Sequence, residues 1–171
     1  RPTIVFGVSI KHSKYIANIF KQNGVPSGHI DGEMPEIERE EQLDKLDKGE
    51  IKVLSNCMVL TEGWDQPKVS CVIIARPTKS YSLYLQMVGR TLRPAPDKLD
   101  TLIIDHSGCV YEHGFPEDVP DWQLKVSKEK ERKKKQPKPI DQQPFTCVQC
   151  DTVYKPIKDN PECPNCGHIP T

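Results

Sequence analysis

The stretch Val69-Ser-Cys-Val-Ile-Ile-Ala75, followed after a short polar break by Ser80-Tyr-Ser-Leu-Tyr-Leu-Gln86-Met-Val-Gly-Arg90-Thr-Leu-Arg93, decides the fold. The first part is a Val- and Ile-rich run with almost no polar alternation, as in a strand buried on both faces. The second part has the periodicity of a helix, predicted over Ser80–Thr91. Leu85, Val88 and Leu92 would hold it against a sheet, while Gln86, Arg90 and Arg93 would share another face. Pro94 disfavours helical geometry at the preceding residue, so Arg93 is expected at or just past the helix end.

The same alternation extends outward in both directions. Thr3–Val8, Ile51–Leu54 and Thr101–Asp105 read as further buried strands, with a shorter one at Gly28–Ile30. Helices are predicted at His12–Gln22 and Glu36–Lys48, and Gly24, Gly32 and Gly49 stand where stop signals belong. Strands alternating with helices imply an α/β fold, a parallel sheet covered on both faces. About 110 to 125 residues in this pattern are enough to bury a core.

Beyond it the composition changes. From Lys125 to Pro144 the chain is dominated by Lys, Glu, Gln and Pro, with almost nothing apolar. Two readings apply: a solvated helix extension leading into a proline-stiffened linker, or a basic strap that follows a phosphate backbone. Domain boundaries are accordingly expected at 1–124, 125–144 and 145–171.

The tail carries Cys147-Val-Gln-Cys150 and Cys163-Pro-Asn-Cys166, two C-x-x-C pairs separated by twelve residues. Each tight turn can aim two thiolates at one ion, and two such turns complete a tetrahedron around zinc. Gly167 follows the second pair, where a positive φ lets backbone amides turn back toward sulfur. So short a segment with few apolar residues needs metal ligation to fold. Phe145, Tyr154, Lys155 and Lys158 permit a nucleic-acid grip there. Cys57, Cys71 and Cys109 read as ordinary core residues.

The totals bound the function. The chain has 171 residues, and its 24 Lys and Arg balance 24 Asp and Glu, so any nucleic-acid contact must come from local patches. No apolar run reaches the roughly 20 residues of a membrane span, and no signal peptide is visible. Seven cysteines in such a chain point to a reducing, cytoplasmic compartment and to metal rather than disulfides. The chain enters Ile4-Val5-Phe6 directly after Arg1-Pro2 with no Met, as a fragment of a longer protein would.

Arg90 and Arg93 offer two planar forks of donors suited to phosphate oxygens. By themselves they could equally cover apolar surface or pair with acids elsewhere. Their setting is more specific. Gly63-Trp-Asp65 followed by Gln86-x-x-Gly89-Arg90-x-x-Arg93 resembles motifs V and VI of superfamily 2 helicases. Thr3–Ser9 is similar to motif IV, and Ile30-Asp31-Gly32 with Arg39 to the segment that leads to motif V. Asp105-His-Ser-Gly-Cys-Val-Tyr-Glu-His113-Gly-Phe-Pro resembles an extension of bacterial and phage RadD-like helicases, which also end in a zinc module.

The resemblance implies the second RecA-like domain of an ATP-driven motor followed by a zinc ribbon. Arg90 and Arg93 would be arginine fingers on the γ-phosphate, and Gln86 would position the attacking water or that phosphate. Gly63, Asp65 and Gly89 would lie on the ATP side, with Asp65 contacting the ribose or the arginine-bearing helix. Ser9, Asn56 and Cys57, near strand ends, would lie by the nucleic-acid backbone; the family often carries Thr or Asn near Cys57. His106 and His113 receive no chemical role. No phosphate loop of the form G-x-x-x-x-G-K-[ST] occurs, so ATP and Mg2+ would be held by an N-terminal RecA-like domain of the same protein. This chain alone is expected to be inactive. DNA is the expected partner, in repair, recombination or replication. An RNA helicase, a restriction-type translocase, and a non-catalytic module that binds nucleic acid or protein are the alternatives.

Overall fold

The computed structural model describes residues 1–60, 66–118, 143–157 and 160–170. Gly63, Asp65, Lys158 and all but the last two residues of the basic stretch therefore lie outside the described residues. The chain divides into two compact units, Arg1–His113 and Gly114–Thr171.

The first unit is a five-stranded sheet, every pairing parallel. Its strands are β1 (Thr3–Phe6), β2 (Ser27–Ile30), β3 (Val53–Asn56), β4 (Cys71–Ile74) and β5 (Leu102–Asp105), in the spatial order β2-β3-β1-β4-β5. The helices are α1 (Ile10–Gln22), α2 (Glu36–Asp47), α3 (Tyr81–Gly89) and the short α4 (Cys109–His113). β1 is central and wholly buried, as are all four residues of β3. Ile4, Phe6, Leu54, Val72 and Ile74 form the core with Tyr84, Met87 and Val88 from α3. This two-sided burial is why the strands read as continuous apolar runs.

Strands and helices fall where the sequence predicts them; α1 and β2 start two and one residues earlier, and most other elements are shorter at one or both ends. The run Ile51–Leu54 moves to Val53–Asn56, because Ser55 and Asn56 join the ladder as buried polar residues satisfied within the fold. Gly7 lets α1 start close under β1: a Cβ there would stand 3.2 Å from the Ser13 Cβ. Gly24 and Gly49 take positive φ angles of 76° and 75° just past α1 and α2.

A polar chain ties α1, β2 and β3 together. Ser13 Oγ lies 2.7 Å from both His29 Nδ1 and Ser55 Oγ, and His29 Nε2 lies 2.7 Å from Asp31 Oδ2. Asp31 Oδ1 accepts from the backbone N–H groups of Glu33 and Met34. Burial alone would raise the Asp31 pKa. The hydrogen bond from His29 and the Glu33 amide, with the charges of His29 and Lys14, outweigh it and hold the carboxyl below its ordinary value.

The second unit contains the antiparallel pair β6 (Phe145–Thr146) and β7 (Val153–Tyr154). Its small core is Cys147, Tyr154 and Cys163, with Phe145 and Cys150 packed against it. Lys155 pairs with Asp118 and lies 5.2 Å from the Phe115 ring centroid.

Candidate functional site

In an open parallel sheet, ligands meet the carboxyl ends of the strands where the strand order reverses. Here β1 is followed on one side by β2 and β3, and the chain then crosses to β4 on the other side. The carboxyl ends of β1, β3 and β4 carry Ser9, Asn56 with Cys57, and Arg76. Their side chains play different parts. Ser9 is exposed and caps α1 by accepting from the His12 N–H at 3.1 Å. Arg76 reaches the Val8 carbonyl at 3.4 Å. Cys57 is half-buried, whereas Cys71 and Cys109 are buried as core residues should be.

Asn56 is wholly internal. At 0% exposure, its amide donates to the Val5 carbonyl at 2.9 Å and its side-chain oxygen accepts from the Leu60 N–H at 3.4 Å. That side chain staples β3 to β1 and to the turn after β3. A backbone contact to nucleic acid at this position would therefore come from its neighbours.

The arginine-bearing helix begins at Ser80, whose hydroxyl accepts from the Leu83 N–H at 3.2 Å. Tyr84, Met87 and Val88 anchor it, and Gln86 is exposed. It ends at Gly89, two residues earlier than the apolar spacing predicts. Leu92 consequently lies outside the helix and is 54% exposed instead of packing on the sheet. Arg90 is the C-cap and Arg93 lies in the following segment, both half-buried. The stripe is thus formed by a helix end and the chain that leaves it.

Two braces hold α3. At its start, the His113 ring stacks on Tyr84 (5.3 Å between centroids, 23° between planes) and tilts against Tyr81 at 5.9 Å. His113 Nε2 donates to the Thr78 carbonyl at 2.8 Å, which requires its proton on that nitrogen. This histidine therefore docks α4 onto α3. Beyond the helix end, Lys98 Nζ reaches the carbonyls of Thr91, Arg93 and Pro67 at 2.5, 2.7 and 3.2 Å. Neither brace leaves a signature in the sequence, because both depend on partners brought in by the tertiary fold.

In the second unit, the sulfurs of Cys147, Cys150, Cys163 and Cys166 all lie within 4.8 Å of one another. Cys147 Sγ is 3.6 Å from Cys166 Sγ, and Cys150 Sγ is 3.7 Å from Cys163 Sγ. A tetrahedron of metal–sulfur bonds of about 2.3 Å has edges of about 3.8 Å, so the four thiols fit one metal ion. The two knuckles are alike. Asp151 and Gly167 follow the second cysteine of each pair at φ 57° and 71°, and their N–H groups donate to the Cys147 and Cys163 carbonyls. Hydrogen bonds from Thr152 and Asn165 bring the Cys150 thiol down to about 5. Cys166 is pushed up to about 12: a hydrogen bond with the His168 backbone opposes the rise, but the neighbouring sulfurs and burial prevail. Tyr154 is buried, with its hydroxyl on the Pro161 carbonyl, so it serves the ribbon's interior and not as a stacking platform.

No helix among the described residues is long and apolar enough to cross a membrane. The family model for the helicase conserved C-terminal domain matches residues 1–95. The chain is 40% identical over 109 residues to IRC3 of Saccharomyces cerevisiae, a candidate ATP-dependent helicase, covering 64% of this chain and 16% of that protein. It is 34% identical over 165 residues to a 51.5 kDa protein of a Lactococcus phage, covering 96% of this chain and 35% of the relative. Among solved structures, the ATP-dependent Type ISP restriction-modification enzyme LlaBIII bound to DNA aligns with a TM-score of 0.56 and 30% identity, over 63% of this chain and 8% of that one. The chain thus spans well under two thirds of the curated relatives it matches.

Proposed function

The chain belongs to the helicase C-terminal domain family, and on that premise we propose that it is one wall of the ATP site in a DNA helicase or translocase. ATP and Mg2+ would be held by an N-terminal RecA-like domain of the same protein. Arg90 and Arg93 neutralise charge developing on the γ-phosphate, and Gln86 positions the attacking water or that phosphate. Gly89, and by the motif resemblance Gly63 and Asp65, would serve the nucleotide. The observation that carries this reading is the end of α3, which presents exposed Gln86, Arg90 at the cap and Arg93 just beyond it.

The carboxyl ends of β1 and β3 supply the nucleic-acid track through Ser9, Cys57 and the backbone around Asn56, joined by Arg76. Contacts of this kind read phosphates, so binding is salt-dependent and weakly sequence-selective. Closure of the two domains on ATP draws the arginines inward, and hydrolysis releases them. In the second unit, zinc is the ion that best fits four thiolates at tetrahedral spacing. When bound, it supplies the folding free energy that so small a core lacks.

ATPase assays on the complete protein and on this chain, each with DNA and with RNA, test the reading. Turnover stimulated by DNA is expected from the complete protein and none from this chain. Stimulation by RNA alone would place the protein among RNA helicases. Unchanged turnover in both Arg90→Ala and Arg93→Ala would overturn the arginine assignment.

A further inference from the structure

The end of a helix leaves carbonyl groups without intrahelical partners, and the partial negative charge there favours a cation. Lys98 places its cation just past the end of α3, on carbonyls of the segment that leaves the helix. The chain leaves through Arg93, and Pro94 and Pro96 stiffen the path. Asp97 takes a left-handed φ of 64°, and the Lys98 N–H closes the turn on the Ala95 carbonyl at 3.3 Å. The side chain thereby folds back under the segment it follows. Its ammonium has three donors, and three carbonyls receive them, those of Pro67, Thr91 and Arg93. Thr101 Oγ1 adds a bond of 2.6 Å to the Thr91 carbonyl, and the buried Thr91 hydroxyl bonds back to Val88.

We propose that Lys98 is a positioning residue for the arginines: its ammonium clamps the backbone at Thr91, which lies between the two arginines in sequence, and at Arg93, and ties it to Pro67. Pro67 follows Asp65 by two residues. One side chain thus links the arginine segment to the strand-entry stretch at Pro67. The proposal rests on the arginine-finger reading above. The ammonium thus satisfies carbonyls of both stretches at once. Burial holds the Lys98 pKa below the ordinary lysine value, as expected for an ammonium placed among carbonyls instead of water.

The test uses the complete protein and measures ATP turnover with DNA for Lys98→Met, Arg90→Ala, the Arg90→Ala/Arg93→Ala pair, and that pair combined with Lys98→Met. Misplacing a reacting group by about 1 Å costs about 10²-fold, so K98M is expected to lose about ten- to a hundredfold in kcat with KM for ATP nearly unchanged. R90A is expected to lose about 10³-fold or more. Because Lys98 acts through both arginines, adding K98M to the R90A/R93A pair should cost no further turnover. A merely structural lysine would instead multiply the two losses, and that result overturns the proposal. Wild-type kcat in K98M beside an inactive R90A also overturns it, and leaves the arginine reading intact. Wild-type turnover in the R90A/R93A pair removes the arginine reading, and the Lys98 role with it. Should K98M fail to fold by circular dichroism, Lys98→Gln, which keeps an N–H donor but is uncharged and one atom shorter, carries the same comparison.

Discussion

Asn56→Ala is the perturbation whose outcome follows most directly from the structure. The side chain is fully buried and holds two groups, the Val5 carbonyl at 2.9 Å and the Leu60 N–H at 3.4 Å. Losing the first bond costs about 1 kcal/mol, softened because a carbonyl in a ladder keeps a second acceptor site. Leaving the Leu60 N–H buried without a partner costs about 1–2 kcal/mol more, since a donor has no such reserve. The sum is about 2–3 kcal/mol. With a urea slope of about 1.5–2 kcal/mol/M, the unfolding midpoint followed by far-UV circular dichroism falls by about 1–2 M. Asn56→Asp extends the test. A carboxylate there cannot donate to Val5 and is buried, so its folded-state pKa stands above the unfolded value of about 3.9. Its penalty relative to wild type is therefore largest at neutral pH and shrinks as pH falls through the raised pKa, where the neutral acid can donate again. A midpoint shift for Asn56→Ala below about 0.3 M, less than one hydrogen bond at these slopes, would refute the reasoning.

Asp31 has a pKa held below the ordinary 3.8, so the stability it contributes is present above that value and is lost as pH falls through the lower folded pKa. Acid titration of unfolding should therefore show a component that Asp31→Asn removes; a wild-type profile in that variant would contradict the pairing with His29. His113→Ala removes the stack on Tyr84 and the bond to Thr78, and thermal unfolding should report a loss of about 1–3 kcal/mol. Asp151→Gly relieves a non-glycine residue at φ 57°, so the second unit should gain about 0.5–1 kcal/mol, read as a higher melting temperature with metal bound. Cys163→Ser removes one of four thiolates, and metal analysis after gel filtration should fall from about one zinc per chain to well below it.

The amino-acid order by itself determined the α/β alternation and the cysteine constellation. Both are local signals: Ile4-Val5-Phe6 and Val72-Ile73-Ile74 announce burial on two faces, and two C-x-x-C turns carry their own geometry. The order of motifs along the chain marked the helicase domain in the same way. The tertiary structure alone decided what the polar residues do. Asn56 is internal because Val5, 51 positions earlier, lies on the adjacent strand; Lys98 is a clamp because Pro67, 31 positions earlier, lies beneath it. His113 braces α3 because α4 folds back over Thr78. Apolar burial can be read from a run of neighbours, since any covering surface will do. A hydrogen bond needs one particular partner at one distance, and only the folded chain brings that partner into place.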